Sequence, residues 1–171
     1  VGQAALGAAR PLGAARVVAG CRPGPAAERA TAAGADAVVD TSGSLTEVAA
    51  RLGEACGGRV DVVVDPVWGA PAEAALSVLS PGGRLVNLGS AAGETASLSS
   101  ALLRSRSAAV LGHTNNALSA AERDEGLRTM LAHASRDEVR VAHNVVGLDG
   151  AADAWAAQAS GAAGVRLVIT P

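Results

Sequence analysis

GGRVDVVVDPVWGAPAEAALSVLSPGGRLVNLGSAAG, residues 57–93, is the stretch from which the fold is read. It holds an apolar run from Val60 to Asp65, a turn at Pro66, and a helix predicted over about Pro71 to Leu79. A Pro81-Gly82-Gly83 turn and a second run from Arg84 to Leu88 follow. Two short β-branched runs separated by about twenty residues need a crossover connection, so they are predicted to lie parallel, with a right-handed crossover. Both strands then end on one edge of a sheet.

Open parallel sheets hold ligands in the crevice outside the carboxyl ends of their strands. Here those ends are Asp65-Pro66-Val67 and Gly89-Ser90-Ala91. Gly89 has no Cβ and lets a flat or phosphorylated ligand approach the backbone, although Gly89 and Gly93 also read as residues that simply turn the chain.

A chain of 171 residues is about one domain, large enough for a sizeable core. Hydrophobic residues make up 49% and charged residues 18%, a globular rather than a disordered balance. A net charge of −2 with no basic cluster argues against nucleic acid and anionic membrane as partners. Cys21 and Cys56 are the only cysteines, so neither a disulfide framework nor a four-ligand zinc cluster can be written, and no metal is expected in this segment. No apolar run approaches a membrane span and no leader pattern opens the chain, which reads as cytosolic. It opens in mid-pattern without Met, and reads as a piece of a longer protein.

Before residue 57, a small-residue helical stretch from Ala4 to Arg10 closes near Pro11 and Gly13, and a strand is expected over Arg16 to Gly20. A helix placed directly before a strand is what remains of a βαβ unit without its opening strand and glycine loop. Gly2 is then the last glycine of that loop. The dinucleotide fingerprint sets its ribose-reading residue about twenty positions beyond the glycines. Arg22 lies there, where an NAD site offers Asp or Glu. A guanidinium pairs with a 2′-phosphate, which favours NADP over NAD; the alternative makes Arg22 an exposed loop charge before Pro23.

Pro25 and Gly34 bracket the next helix, a strand follows over Ala37 to Asp40, and Ser44 to Glu47 form a capping box. Leu45, Val48, Ala49, Leu52 and Cys56 mark the apolar face of that helix, with Cys56 read as inert. After Gly93, Leu98, Leu102 and Leu103 form a short helical stripe. Ala108 to Gly112 is predicted as a strand that ends at His113-Thr114-Asn115-Asn116. This polar quartet is placed to line the crevice beside Gly89. His113 is a candidate proton donor, against the plainer reading of a structural or solvated histidine.

A second capping box, Ser119 and Glu122, opens a helix with Leu127, Met130, Leu131 and Ala134 on one face. A strand over Val141 to Val146, a helix capped by Asp149 and carrying Trp155 as core or interface filler, and a strand over Val165 to Thr170 complete the pattern.

Taken together, Val1-Gly2-Gln3-Ala4-Ala5, Leu12-Gly13-Ala14, Gly34-Ala35-Asp36 and Asp40 resemble the cofactor domain of the medium-chain dehydrogenase/reductase superfamily. So do Val62-Val63-Val64-Asp65-Pro66-Val67, Leu79 to Val86, Leu88-Gly89 and Val165-Arg166-Leu167-Val168. The nearest branch is the zinc-independent quinone oxidoreductases. The resemblance implies an α/β fold: a Rossmann-type doubly wound parallel sheet lacking its first strand over residues 1–138, and a segment 139–171 that completes a GroES-like domain. It also implies that Gly2 touches the pyrophosphate and Arg22 the 2′-phosphate. Pro66, Val67, Gly89, Ser90, His113 and Asn115 then serve the nicotinamide side, and Ala108 to Gly112 pairs sheets in a homodimer. The expected activity is NADPH-dependent hydride transfer to a quinone, enone or similar carbonyl compound. The alternatives are a zinc alcohol dehydrogenase with its ligands elsewhere in the protein, a non-catalytic Rossmann module, and the enoyl-reducing module of a larger synthase. The resemblance departs at Trp68, which stands where the family's Asp-Pro-Val-Gly turn has a small residue.

Overall fold

The computed structural model describes residues 1–171, which divide into two compact units, Val1–Val139 and Arg140–Pro171. The first unit opens with α1 (Gly2–Ala9), β1 (Val18–Cys21), α2 (Pro25–Ala32), β2 (Ala37–Asp40) and α3 (Leu45–Ala55). It continues with β3 (Val62–Asp65), α4 (Gly69–Ser77), β4 (Arg84–Asn87), α5 (Ser100–Arg106), β5 (Ala109–Gly112) and α6 (Ala120–Ser135). No helix is long and apolar enough to cross a membrane.

Local chemistry sets the element boundaries. Pro25 sits at the first turn of α2, where its missing N–H removes no bond. At α3 the Ser44 Oγ accepts the Glu47 N–H (3.3 Å) while the Glu47 carboxylate accepts the Ser44 N–H (2.8 Å). Ser119 and Glu122 repeat this reciprocal cap on α6. Each cap contributes about 1 kcal/mol to its helix.

Every strand pairing is parallel, as the crossover length requires. Instead of one continuous sheet, the unit holds a pair, β1-β2, and a triplet in the order β3-β4-β5. In the doubly wound order 3-2-1-4-5-6 the strand before the first helix takes the middle place. No strand of this chain occupies it, so β1 and β3 each keep one unpaired edge. On either side the winding is as expected, with α1 packed against α2 and α3 against α4.

The core of the triplet lies on one face. Val63, Leu85 and Val110 stand in register across β3, β4 and β5, and the period of two turns all three the same way. They meet Ala72, Leu76 and Leu79 from the α4 side and Leu98, Leu102 and Leu103 from the α5 side. Leu79 and Leu85 are completely buried. The alternate residues Val62, Val64 and Leu111 are exposed on the opposite face.

The helix read from Leu127, Met130, Leu131 and Ala134 forms as α6, but Leu127 and Leu131 each remain 59% exposed. An apolar stripe marks a face that favours burial, and of this one Met130 is half-buried while the two leucines stay exposed.

The second unit is a β–α–β piece: β6 (His143–Gly147), α7 (Ala151–Ala159) and β7 (Arg166–Thr170), with the two strands parallel. Two expectations change here. Asp149 lies in a short 3-10 turn and the residue before α7 is Gly150, which provides no side-chain cap. Trp155 is 76% exposed, which removes its reading as core filler.

Asp36 ties the first βαβ turn together. Its carboxylate accepts the Val17 N–H at 2.7 Å and pairs with Arg10 at the end of α1. The Val17 N–H first, and then the Arg10 charge, hold this carboxyl below its usual range. A depressed folded value contributes stability above the unfolded carboxylate range and loses it as pH falls through the folded value. Asp36→Asn is therefore expected to flatten part of the loss in urea midpoint below about pH 4. Asp40, Glu47, Glu122 and Glu138 are shifted in the same direction and retain the remainder.

Candidate active site

Asp65 ends the Val62-Val63-Val64 run and is only 3% exposed. A buried carboxylate must have partners. Its Oδ1 accepts the backbone N–H of Val67 (3.0 Å) and of Trp68 (2.9 Å), and its Oδ2 accepts the Asn87 side-chain amide (3.1 Å). The other hydrogen of the same amide nitrogen goes to the Gly89 carbonyl at 2.8 Å, so both donors of Asn87 are used.

Main-chain bonds complete the stitching. Leu88 N–H donates to the Asp65 carbonyl (2.7 Å), Ala92 N–H to the Val67 carbonyl (2.7 Å), and His113 N–H to the Asn87 carbonyl (2.9 Å). The tips of β3, β4 and β5 thus form one rim, spaced by the side chains of Asp65 and Asn87. Of the expected residues, Pro66, Val67, Gly89, Ser90 and His113 come together on this rim. Asn115 stands two residues beyond His113, in an exposed 3-10 turn.

Gly89 has a structural reason to lack a side chain. A Cβ there would sit 2.9 Å from the Pro66 carbonyl oxygen, so the close approach that requires glycine is between two segments of the rim itself. Ser90 donates its hydroxyl to Glu94 (2.8 Å), which folds the loop after β4 back on itself. Trp68 precedes α4 with φ 58° and ψ −162°, a backbone region reserved almost entirely for glycine.

The other two expected residues lie on different elements. Arg22 follows β1, exposed and outside every ion pair of the chain. Its strand neighbour Cys21 is paired in register with Asp40. Burial first, and the Asp40 charge second, push the Cys21 thiol up, and burial does the same to Cys56. Both thiols are therefore poor nucleophiles. Gly2 opens α1 with open space where a Cβ would project.

Sequence reasoning passed over Asn87. Its signal was a carboxamide inside the apolar run Leu85-Val86-Asn87-Leu88, a residue type depleted from strands unless it has a bonding task. Asp65 was visible as a strand end but not as the group holding the rim.

The family model described as zinc-binding dehydrogenase matches residues 1–132. No curated protein matches the chain. Among solved structures, AibC is similar over 100% of this chain and 46% of its own, at 30% identity and a TM-score of 0.80. A mycobacterial quinone oxidoreductase is similar over 100% of this chain and 53% of its own, at 23% identity and a TM-score of 0.87. Its NADPH complex gives a TM-score of 0.80. The alcohol dehydrogenase of Aeropyrum pernix is similar over 99% of this chain and 47% of its own, at 23% identity and a TM-score of 0.73. The chain thus spans about half the length of the solved structures it matches.

The rim bonds make a direct stability prediction. Asn87→Ala leaves Asp65 Oδ2 without its partner and is expected to cost about 1–3 kcal/mol. Asn87→Asp sets a second carboxylate against the first and should cost more than the alanine variant at neutral pH. Urea unfolding of both variants checks the order.

Proposed function

The chain belongs to the zinc-binding dehydrogenase family of the medium-chain dehydrogenase/reductase superfamily, and on that premise we propose that it supplies most of the cofactor domain of an NADPH-dependent oxidoreductase. The observation that carries this reading is the stitched rim of parallel strand ends, with an unpaired guanidinium at the end of β1. The proposed substrate is a quinone, enone or similar carbonyl compound. The fold likeness to a quinone oxidoreductase solved with NADPH supports this class.

The residues present suit a dinucleotide. Open space over Gly2 at the start of α1 leaves room for the pyrophosphate, and helix N-termini favour anions. Arg22 has no competing carboxylate and is assigned the 2′-phosphate, so NADP is favoured over NAD. Pro66, Val67, Gly89, Ser90, His113 and Asn115 are assigned to the nicotinamide side. When bound, the nicotinamide supplies the hydride. The chain's task is then positioning: Asp65 and Asn87 fix the spacing between the loops, so the ring has a stiff wall rather than two independent turns.

Residues 139–171 are proposed to complete a second, GroES-like domain. The outer edge of β5 is proposed to pair with its copy in a cytoplasmic homodimer. No three His, Cys, Asp or Glu side chains gather within this chain, so its donor set does not fit a zinc site. The second reading is a zinc-dependent alcohol dehydrogenase whose metal ligands lie elsewhere in the protein, and the fold is shared with the Aeropyrum pernix alcohol dehydrogenase. Metal analysis of the intact protein separates the two.

Fluorescence titration of the intact protein with NADPH and NADH tests the cofactor assignment. Tighter binding of NADPH is expected, and Arg22→Gln should weaken NADPH by roughly ten- to hundred-fold while leaving NADH nearly unchanged. Equal affinities in the unaltered protein, or an equal loss for both nucleotides in the variant, would remove Arg22 from the phosphate site.

A further inference from the structure

Trp68, half-buried just after the end of β3, combines an unusual backbone conformation with two anchors. Its φ of 58° and ψ of −162° are the conformation of a glycine, in a residue with a bulky side chain. Its N–H is held by Asp65 Oδ1 at 2.9 Å. Its indole packs against the buried cluster of Ala72, Leu76, Leu79 and Leu85. The next residue, Gly69, also has a positive φ of 62°, and the place of its missing Cβ is in ordinary van der Waals contact with the Ala92–Gly93 backbone.

A non-glycine residue remains in such a conformation only where its surroundings over-determine it. Here the carboxylate holds the backbone on one side and the apolar cluster holds the indole on the other. Between them lies the rim turn Pro66–Gly69, whose Val67 carbonyl also accepts the Ala92 N–H.

We propose that Trp68 is a positioning residue: its anchored indole and the Asp65 carboxylate together hold the rim turn in a strained conformation, and this fixes where Val67 is presented to the cofactor. The proposal rests on the dinucleotide reading of the rim. The strain itself does not depend on that reading. Glycine at position 68 relieves the backbone and loses the anchor, whereas alanine loses the anchor and keeps the strain. The two small residues therefore separate the two contributions, and phenylalanine keeps an aromatic anchor.

The test uses Trp68→Phe, Trp68→Ala and Trp68→Gly in the intact protein, measuring the thermal midpoint and the dissociation constant for NADPH. Trp68→Gly is expected to melt roughly 2–4 °C above Trp68→Ala, the reverse of the order when glycine replaces alanine in unstrained backbone. NADPH binding should weaken by about tenfold in both small variants and be largely kept in Trp68→Phe. Affinity that fails to recover in Trp68→Gly although stability does is the signature of positioning; a purely structural role would make affinity follow stability. Trp68→Ala melting at or above Trp68→Gly would overturn the strain. NADPH binding by Trp68→Gly at the unaltered strength would overturn the positioning role. If the unaltered protein binds neither NADPH nor NADH, the dinucleotide reading fails and the positioning role fails with it, while the melting order still decides the strain.

Discussion

The candidate site depends on one buried carboxylate. Asp65 ends a strand with an exposed apolar face, yet its own side chain is removed from water and satisfied by two backbone donors and one carboxamide. Bonds to Val67 and Trp68 bend the chain sharply after β3, and the bond to Asn87 fixes that bend relative to the end of β4. A buried acceptor left unpaired costs about 1–3 kcal/mol, and more when charged. The two loops are therefore tied to a single geometry by the penalty for separating them. The close approach of Gly89 to Pro66 follows from that geometry.

The sheet around this clamp is asymmetric. One face of β3-β4-β5 is filled by α4 and α5, whereas Val62, Val64 and Leu111 face outward on the other. β1 pairs only with β2, and β3 only with β4, so each keeps one edge without a partner strand. The rim nevertheless holds its shape, since its bonds run among β3, β4, β5 and their own loops. Order at the candidate site is thus local to the triplet.

Much of this was legible in the residues. The Val run ending at Asp65, the Pro81-Gly82-Gly83 turn and the second run from Arg84 gave a parallel crossover, and both Ser-Glu capping boxes formed as read. What could not be read were pairwise relations. Periodicity gave Leu127 and Leu131 an apolar face but could not say whether anything in the chain covers it, and Trp155 carried the same ambiguity. Asn87 was hidden because its importance lies in meeting Asp65, twenty-two residues away, through a bond that no local pattern encodes. Glycine at position 89 suggested room for a ligand, while its neighbour is the Pro66 carbonyl. Trp68 is the opposite case: a local rule is broken, and the conflict itself marks the place where tertiary contacts prevail over conformational preference.

In the proposed function, the rim stitched by Asp65 and Asn87 is the wall against which a nicotinamide dinucleotide lies. Amide hydrogen exchange of the intact protein, with and without NADPH, tests it most directly. Slower exchange on binding is expected in segments 65–69, 87–93 and 113–116 together, because they form one rim. Protection confined to other parts of the protein, with those three segments unchanged at saturating NADPH, would contradict it.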